Sequence, residues 1–218
     1  MPNWVITKIY ITGPEDKIKE FEGKCLRPNR DEDGEFQRTF SFDRIKQRPE
    51  ELVNTISPSP KPEVRKVKDM QGNEIVVEVY RENINNATPD QQEELRRKYG
   101  HSNWYDWNCN NWGTKWDCSD SHYTEEDKIL QFQTAWACPD KIIAEMKLMF
   151  PDLKFNGNYA DEDLGSNVGY IEEGLLYPLD DLSEEAYETA ATLWGYEGYY
   201  DDEKKEWIFD GEEEEEDE

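Results

Sequence analysis

Trp4-Val5-Ile6-Thr7-Lys8-Ile9-Tyr10-Ile11 is the stretch from which the fold is read. Its β-branched and aromatic residues predict a strand, and Gly13-Pro14 stops it. Pro14 also suits the first turn of a helix, on which Ile18 and Phe21 lie three apart on one face. Working outward, Arg27 to Gly34 is a polar loop, and Phe36-Gln37-Arg38-Thr39-Phe40-Ser41-Phe42 alternates strictly, predicting a second strand. Pro49, Pro58, Pro60 and Pro62 break regular structure at the start of an excursion over about 45–100. Within it Ile75-Val76-Val77-Glu78-Val79-Tyr80 predicts a strand behind a turn at Gln71-Gly72-Asn73. Thr88-Pro89-Asp90-Gln91 has the hydroxyl, proline and glutamine of a capped helix start, with Gly100 as the stop.

Ile129 to Trp136 alternates again, placing Leu130, Phe132, Thr134 and Trp136 on one face. Pro139 opens a helix with Ile142, Ile143, Met146 and Met149 on its inner stripe, ending at Phe150-Pro151. Leu153-Lys154-Phe155 and Gly169-Tyr170-Ile171 predict two further strands across an acidic, Gly-rich connection. Ser183 caps a last helix through Ala186, Ala190 and Leu193 to Gly195, and Tyr199-Tyr200 with Trp207-Ile208-Phe209 form a hairpin. This order fits neither a doubly wound sheet nor a sandwich. It predicts an α+β fold, an antiparallel sheet with helices on one face. The expected divisions are a domain over 1–174, a helix-and-hairpin extension over 175–211, and a disordered tail of seven acids over 212–218.

Charge is the strongest compositional signal. The chain has 51 acidic and 25 basic residues, a net −26, which repels phosphates and anionic lipid and excludes a broad basic groove for nucleic acid. The imbalance is local: Leu153 to Glu218 holds 23 acids against 3 bases, a net −20, whereas the preceding residues carry only −6. Aromatic residues make up 13 %, too many for a wholly disordered chain despite a mean hydropathy of −1.05. No apolar run approaches the ~20 residues that span a bilayer, and the first residues lack a signal peptide's basic and apolar regions. A cytoplasmic protein with reduced Cys25, Cys109, Cys118 and Cys138 is expected, and no membrane partner.

Met1-Pro2-Asn3-Trp4, Phe40-Ser41-Phe42 with Pro49-Glu50-Glu51-Leu52, Trp104-Tyr105-Asp106-Trp107, Asn111-Trp112-Gly113-Thr114-Lys115-Trp116 and Thr134-Ala135-Trp136 together carry a resemblance. Over roughly Met1 to Gly174 the chain resembles the YubB-type ferredoxin-like family, encoded by phages and conjugative plasmids. The resemblance implies a ferredoxin-like α+β topology, with no iron–sulfur cluster meant by the term, and a mobile-element origin. It implies no activity. The chain departs from the family in the proline-rich excursion, the Asp161-Glu162-Asp163 turn and the acidic region after Gly174, which is where an individual function is expected.

Several constellations carry both a chemical and a plain structural reading. Trp104, Trp107, Trp112 and Trp116 could stack on bases or a cationic ligand, or could build the core and edge of a β-sheet, which is the expected role. Cys109, Cys118 and His122 with Cys138 or His101 could supply zinc ligands, but no Cys-x-x-Cys pair exists. Asp161, Asp163, Asn167 and Glu172 approach calcium-loop spacing, yet Gly165 falls one place early. Cys109 with His101 or His122 is the one conceivable thiol nucleophile, and no P-loop, nucleophile elbow or His-Glu-x-x-His occurs. Neither metal nor cofactor is therefore expected, nor enzymatic activity. The remaining reading concerns charge. Asp161, Glu162, Asp163, Glu172, Glu173, Asp180, Asp181, Glu184, Glu185 and Glu188 are expected on hairpins and the last helix. Held rigidly, they present a field like that of duplex DNA, with one charge per roughly 1.7 Å of axis. The expected function is a non-enzymatic acidic mimic that blocks a basic, nucleic-acid-binding host or defence protein, of anti-CRISPR or anti-restriction type, without binding nucleic acid itself. The rival classes are an aromatic-platform binding module and a metal-dependent enzyme.

Overall fold

The structure, a computed structural model, describes residues 2–30, 36–56, 63–68, 74–79 and 88–210. The expectations placed on Pro58, Pro60 and Pro62, on the turn at Gln71-Gly72-Asn73 and on the acidic tail 212–218 lie outside the described residues. The chain divides into two units, Met1–Gln47 with Asn111–Glu218, and Arg48–Asn110.

In the first unit, β1 (Trp4–Thr12) leads into α1 (Glu15–Cys25), and β2 (Leu26–Arg30) pairs antiparallel with β3 (Phe36–Phe40). Part of the polar stretch after Arg27 is therefore strand, and a 3-10 turn at Phe42–Arg44 ends the hairpin's exit. After the second unit's insertion come β6 (Ser119–Thr124), β7 (Ile129–Ala135), α5 (Asp140–Met149), β8 (Lys154–Asp161), β9 (Gly169–Glu172) and β10 (Leu175–Pro178). Then follow α6 (Glu184–Trp194) and the hairpin of β11 (Gly198–Asp201) and β12 (Glu206–Phe209). Six strands form one sheet in the order β10-β9-β8-β1-β7-β6, antiparallel throughout. Within it, β1-α1-β6-β7-α5-β8 is a split β-α-β-β-α-β unit, the ferredoxin-like topology, and the α+β class holds.

Strand alternation assigns the two faces. Val5, Thr7, Ile9 and Ile11 of β1 pair in register with Thr134, Phe132, Leu130 and Phe155, and all are buried. On this face Phe21 of α1 meets Phe150 and Phe155 edge-on or tilted at 5.4 and 5.9 Å, and Ile142, Ile143 and Met146 of α5 are buried. Phe40, Phe42, Phe132 and Trp112 continue the aromatic core, each ring 5.5–5.8 Å from the next. At its rim, the buried Glu22 carboxylate accepts from Tyr123 at 2.9 Å and faces Arg38 and Lys128 at 3.3 and 3.4 Å. Burial and that carboxylate together push the Tyr123 phenol up.

The helices are not confined to one face. Ile6 and Ala160, paired across β1 and β8, point the other way and pack with Val168, Ala186 and Ala190. Thus α6 lies on the opposite face, held by small residues that permit close approach. Residues 175–194 supply an edge strand of the sheet and a helix upon it, so they belong to the domain and are no appendage.

The second unit holds α2 (Glu50–Val53), the antiparallel pair β4 (Glu63–Lys68) and β5 (Glu74–Val79), α3 (Pro89–Tyr99) and α4 (Trp104–Asn111). The capping box forms as the sequence predicts: Thr88 Oγ1 accepts from the Gln91 N–H at 3.3 Å, and Gln91 Oε1 accepts from the Thr88 N–H at 2.8 Å. Glu51 accepts from Lys98 and Tyr99, which hold its carboxyl down at about 2. The excursion runs to Asn110 rather than to about residue 100.

Candidate functional site

The acidic residues divide into two groups. The first begins at Asp161, which ends β8 and is 6 % exposed. Its carboxylate accepts from Asn3 Nδ2 at 3.2 Å, the Asp163 N–H at 2.9 Å and Asn167 Nδ2 at 3.4 Å, while its carbonyl accepts from the Trp194 indole at 2.9 Å. A carboxylate so enclosed and partnered organises the loop and does not meet a partner protein, which corrects its assignment to the acidic surface. The loop it organises is tied to the β10–α6 connection. Leu179 and Leu182 donate N–H groups to Val168 and Gly165 at 2.9 Å, and the Asn167 N–H donates to Asp181 Oδ1 at 3.1 Å. Gly165, at φ +85, lets the backbone lie against the Tyr187 ring of α6, where a Cβ would come within 2.9 Å. Ser183 Oγ caps α6 by accepting from the Ala186 N–H at 3.2 Å. On this braced end Glu162, Asp163, Asp180, Asp181, Glu184 and Glu185 are exposed.

The second group lies elsewhere. Glu172 and Glu173 sit at the far end of β9, at its turn into β10. Glu173 pairs with Lys154 at 2.7 Å and Lys147 at 3.5 Å, and Lys154 first among these lowers its carboxyl pKa. It is neutralised within the chain. Glu188 lies midway along α6, where with Lys8, Tyr10, Asn158, Thr189, Thr192 and Leu193 it lines a polar cleft of about 300 Å³ against the sheet. So six of the ten expected acids, not ten, share one exposed end.

The tryptophans do not make the sheet-based cluster that was expected. Trp104 and Trp107 lie on a helix, α4, of the second unit, whereas Trp112 and Trp116 belong to the first. Trp107 and Trp112 are buried at 6 % and 1 % exposure, leaving little ring to stack on a base, and the Trp112 indole donates to the Lys46 carbonyl at 2.8 Å. Trp116 is exposed, 6.4 Å from Trp4, and carries the Lys115 ammonium 4.4 Å from its ring centre. The exposed aromatic that sequence alternation missed is Trp136. It falls one residue past β7, turns at φ +72 and is 53 % exposed instead of joining Phe132 inside. The signal available was Pro139, which opens α5 three residues on, so that the strand must end before it.

Of the four thiols, Cys109 lies half-buried on α4 of the second unit, and the other three are held protonated. Burial pushes Cys25 up to about 12 and Cys138 higher still, and Cys118 is raised by burial and by Asp117 beside it. Cys118 donates to the Phe40 carbonyl at 3.3 Å, and Cys138 accepts from the Thr7 hydroxyl at 3.6 Å. Cys118 and His122 line a second polar cleft, of about 350 Å³, with Ser119 and Ser121. Among the described residues no group of three or more His, Cys, Asp or Glu side chains could hold a metal ion. Nor is any described helix long and apolar enough to cross a membrane.

Residues 111–218 match the family model of a ferredoxin-like domain in Api92-like protein. The matched span takes in β6, β7, α5, β8, β9, β10, α6, β11 and β12. Comparison with curated proteins and with solved structures returned no match.

Proposed function

We propose that the protein is a non-enzymatic accessory protein of a phage or conjugative plasmid, which occupies the basic groove of a nucleic-acid-handling or defence protein of the host cytoplasm. The observation that carries this reading is the braced acidic end. Glu162, Asp163, Asp180, Asp181, Glu184 and Glu185 are exposed on two loops and a helix start locked together by Asp161, Asn167 and Ser183. Carboxylates carried on a braced backbone need no loop ordering on docking and steer a cationic partner at long range. The raised pKa values of Cys25, Cys118 and Cys138 and the buried, satisfied Asp161 and Glu22 carboxylates support a role without catalysis at those groups. The YubB-type resemblance supports the mobile-element origin.

The test is capture from nuclease-treated bacterial lysate on the immobilised full-length protein. Nucleic-acid-binding proteins should be retained at low salt and released both by rising salt and by added duplex DNA. Retention of none, or retention that duplex DNA leaves untouched, would remove the reading.

A further inference from the structure

Trp136 is an exposed aromatic side chain on a backbone that tryptophan does not favour. Bulky residues at positive φ are outliers, because Cβ crowds the backbone there, and they persist only where surrounding contacts impose them. Here the contacts are explicit. The Trp136 N–H donates to the Asn3 carbonyl at 2.9 Å, and its carbonyl accepts from Asn167 Nδ2 at 3.3 Å. A glycine would meet the same hydrogen bonds without strain, and burial does not explain the indole, since 53 % of the residue faces solvent.

Its neighbourhood gives the exposed ring a chemistry. The same Asn167 that fixes Trp136 also reaches the Asp161 carboxylate and the Asp181 side chain. The adjacent Trp4 carbonyl accepts from the Glu162 N–H at 2.8 Å. Trp136 is thus tied directly to the loop that carries Glu162 and Asp163. Tryptophan is the strongest aromatic partner for a cation, and arginine, planar and weakly hydrated, can stack on the ring while pairing with a carboxylate. The Lys115 ammonium over Trp116 is an example within the same unit.

We propose that Trp136 is an anchor for an arginine side chain of the basic partner, whose guanidinium stacks on the indole while Glu162 and Asp163 of the tied loop pair with it. This rests on the acidic-surface reading and adds to it a preference for arginine over lysine.

The experiment titrates oligo-arginine and oligo-lysine peptides of equal length into the full-length protein at low ionic strength, read by tryptophan fluorescence and calorimetry. Oligo-arginine should bind tighter than oligo-lysine. Trp136→Ala should weaken oligo-arginine about five- to tenfold and largely abolish the preference, and Trp136→Phe should retain most of it. Trp136→Gly should weaken the peptide equally while leaving the urea midpoint unchanged or higher, because it relieves the positive-φ strain. If Trp136→Ala binds oligo-arginine as well as the parent does, while Glu162→Gln with Asp163→Asn weakens it, the anchor is wrong and the acidic-surface reading stands. If neither peptide binds the parent protein, both are wrong. A Trp136→Gly midpoint well below the parent's would show that the ring is there for packing and would also overturn the anchor.

Discussion

One face of the six-stranded sheet is filled by Ile9, Leu130, Phe132 and Phe155 beneath α1 and α5, while the other is met by α6 through Ile6, Ala160, Ala186 and Ala190. The first face is closed by volume. Large rings at 5.4–5.9 Å spacings exclude water across its width and supply most of the hydrophobic drive. The second is closed by fit over a narrow strip. Beyond that strip Lys8, Tyr10 and Asn158 remain at the floor of an open cleft, and the loops at its end carry the exposed acids. The contrast separates two tasks: one face makes the domain stable, and the other positions a charged surface whose repulsion the first must tolerate.

The most direct way to break this comparison is to open the filled face. Phe132→Ala removes a fully buried ring that touches Phe40 and Phe42 at 5.5 and 5.8 Å. It should cost about 3–5 kcal/mol in urea unfolding. A loss under about 1 kcal/mol would mean that the aromatic face does not carry the stability assigned to it.

A smaller effect sharpens the account of the other face. Ala190 is fully buried beside Ile6 and Ala160, so Ala190→Leu must push α6 from the sheet, at about 1–3 kcal/mol. Thr192→Ala, on the exposed side of the same helix, should change the midpoint little. Equal midpoints for the two variants would show that α6 is not packed as closely as its small residues imply.

Periodicity revealed the middle of this sheet and lost its margins. β1, β7, the start of β8 and the two helices of the filled face were legible because buried residues alternate or recur on one side. The edge strands were not. β6 reads Ser-Asp-Ser-His-Tyr-Thr with Tyr123 alone buried, and no residue of β10 is fully buried, so neither leaves an apolar alternation to read. Trp136 was placed inside because period-2 counting continues a strand past its true end at Ala135, and only the turn geometry corrects it. Aromatic content points the Trp104–Trp107 segment toward the sheet, whereas capping by Asn103, whose Oδ1 accepts from the Asp106 N–H at 2.9 Å, starts a helix. At the site, sequence identified an acidic region but not its division. Asp161 and Glu173 look identical to Glu162 in the chain, and only their neighbours, Asn3, Asn167, Lys147 and Lys154, take them out of the surface.

The smallest expected effect is the one that best isolates the acidic end. Glu162 and Asp180 are exposed, and their side chains are not what holds the loops: the bracing runs through Asp161, Asn167, Asp181 and backbone groups. Glu162→Gln with Asp180→Asn should therefore move the unfolding free energy by no more than about 0.5 kcal/mol. The sign favours stabilisation, since each change removes a like charge from a crowded end, and the shift should shrink as salt is added. The same double variant should release a captured basic partner at lower salt than the parent does. Stability held while retention falls is the signature of charges kept for a partner. If instead the variant loses more than about 1 kcal/mol, those carboxylates are structural members of the loop, and the division of labour between the two faces fails at its functional end.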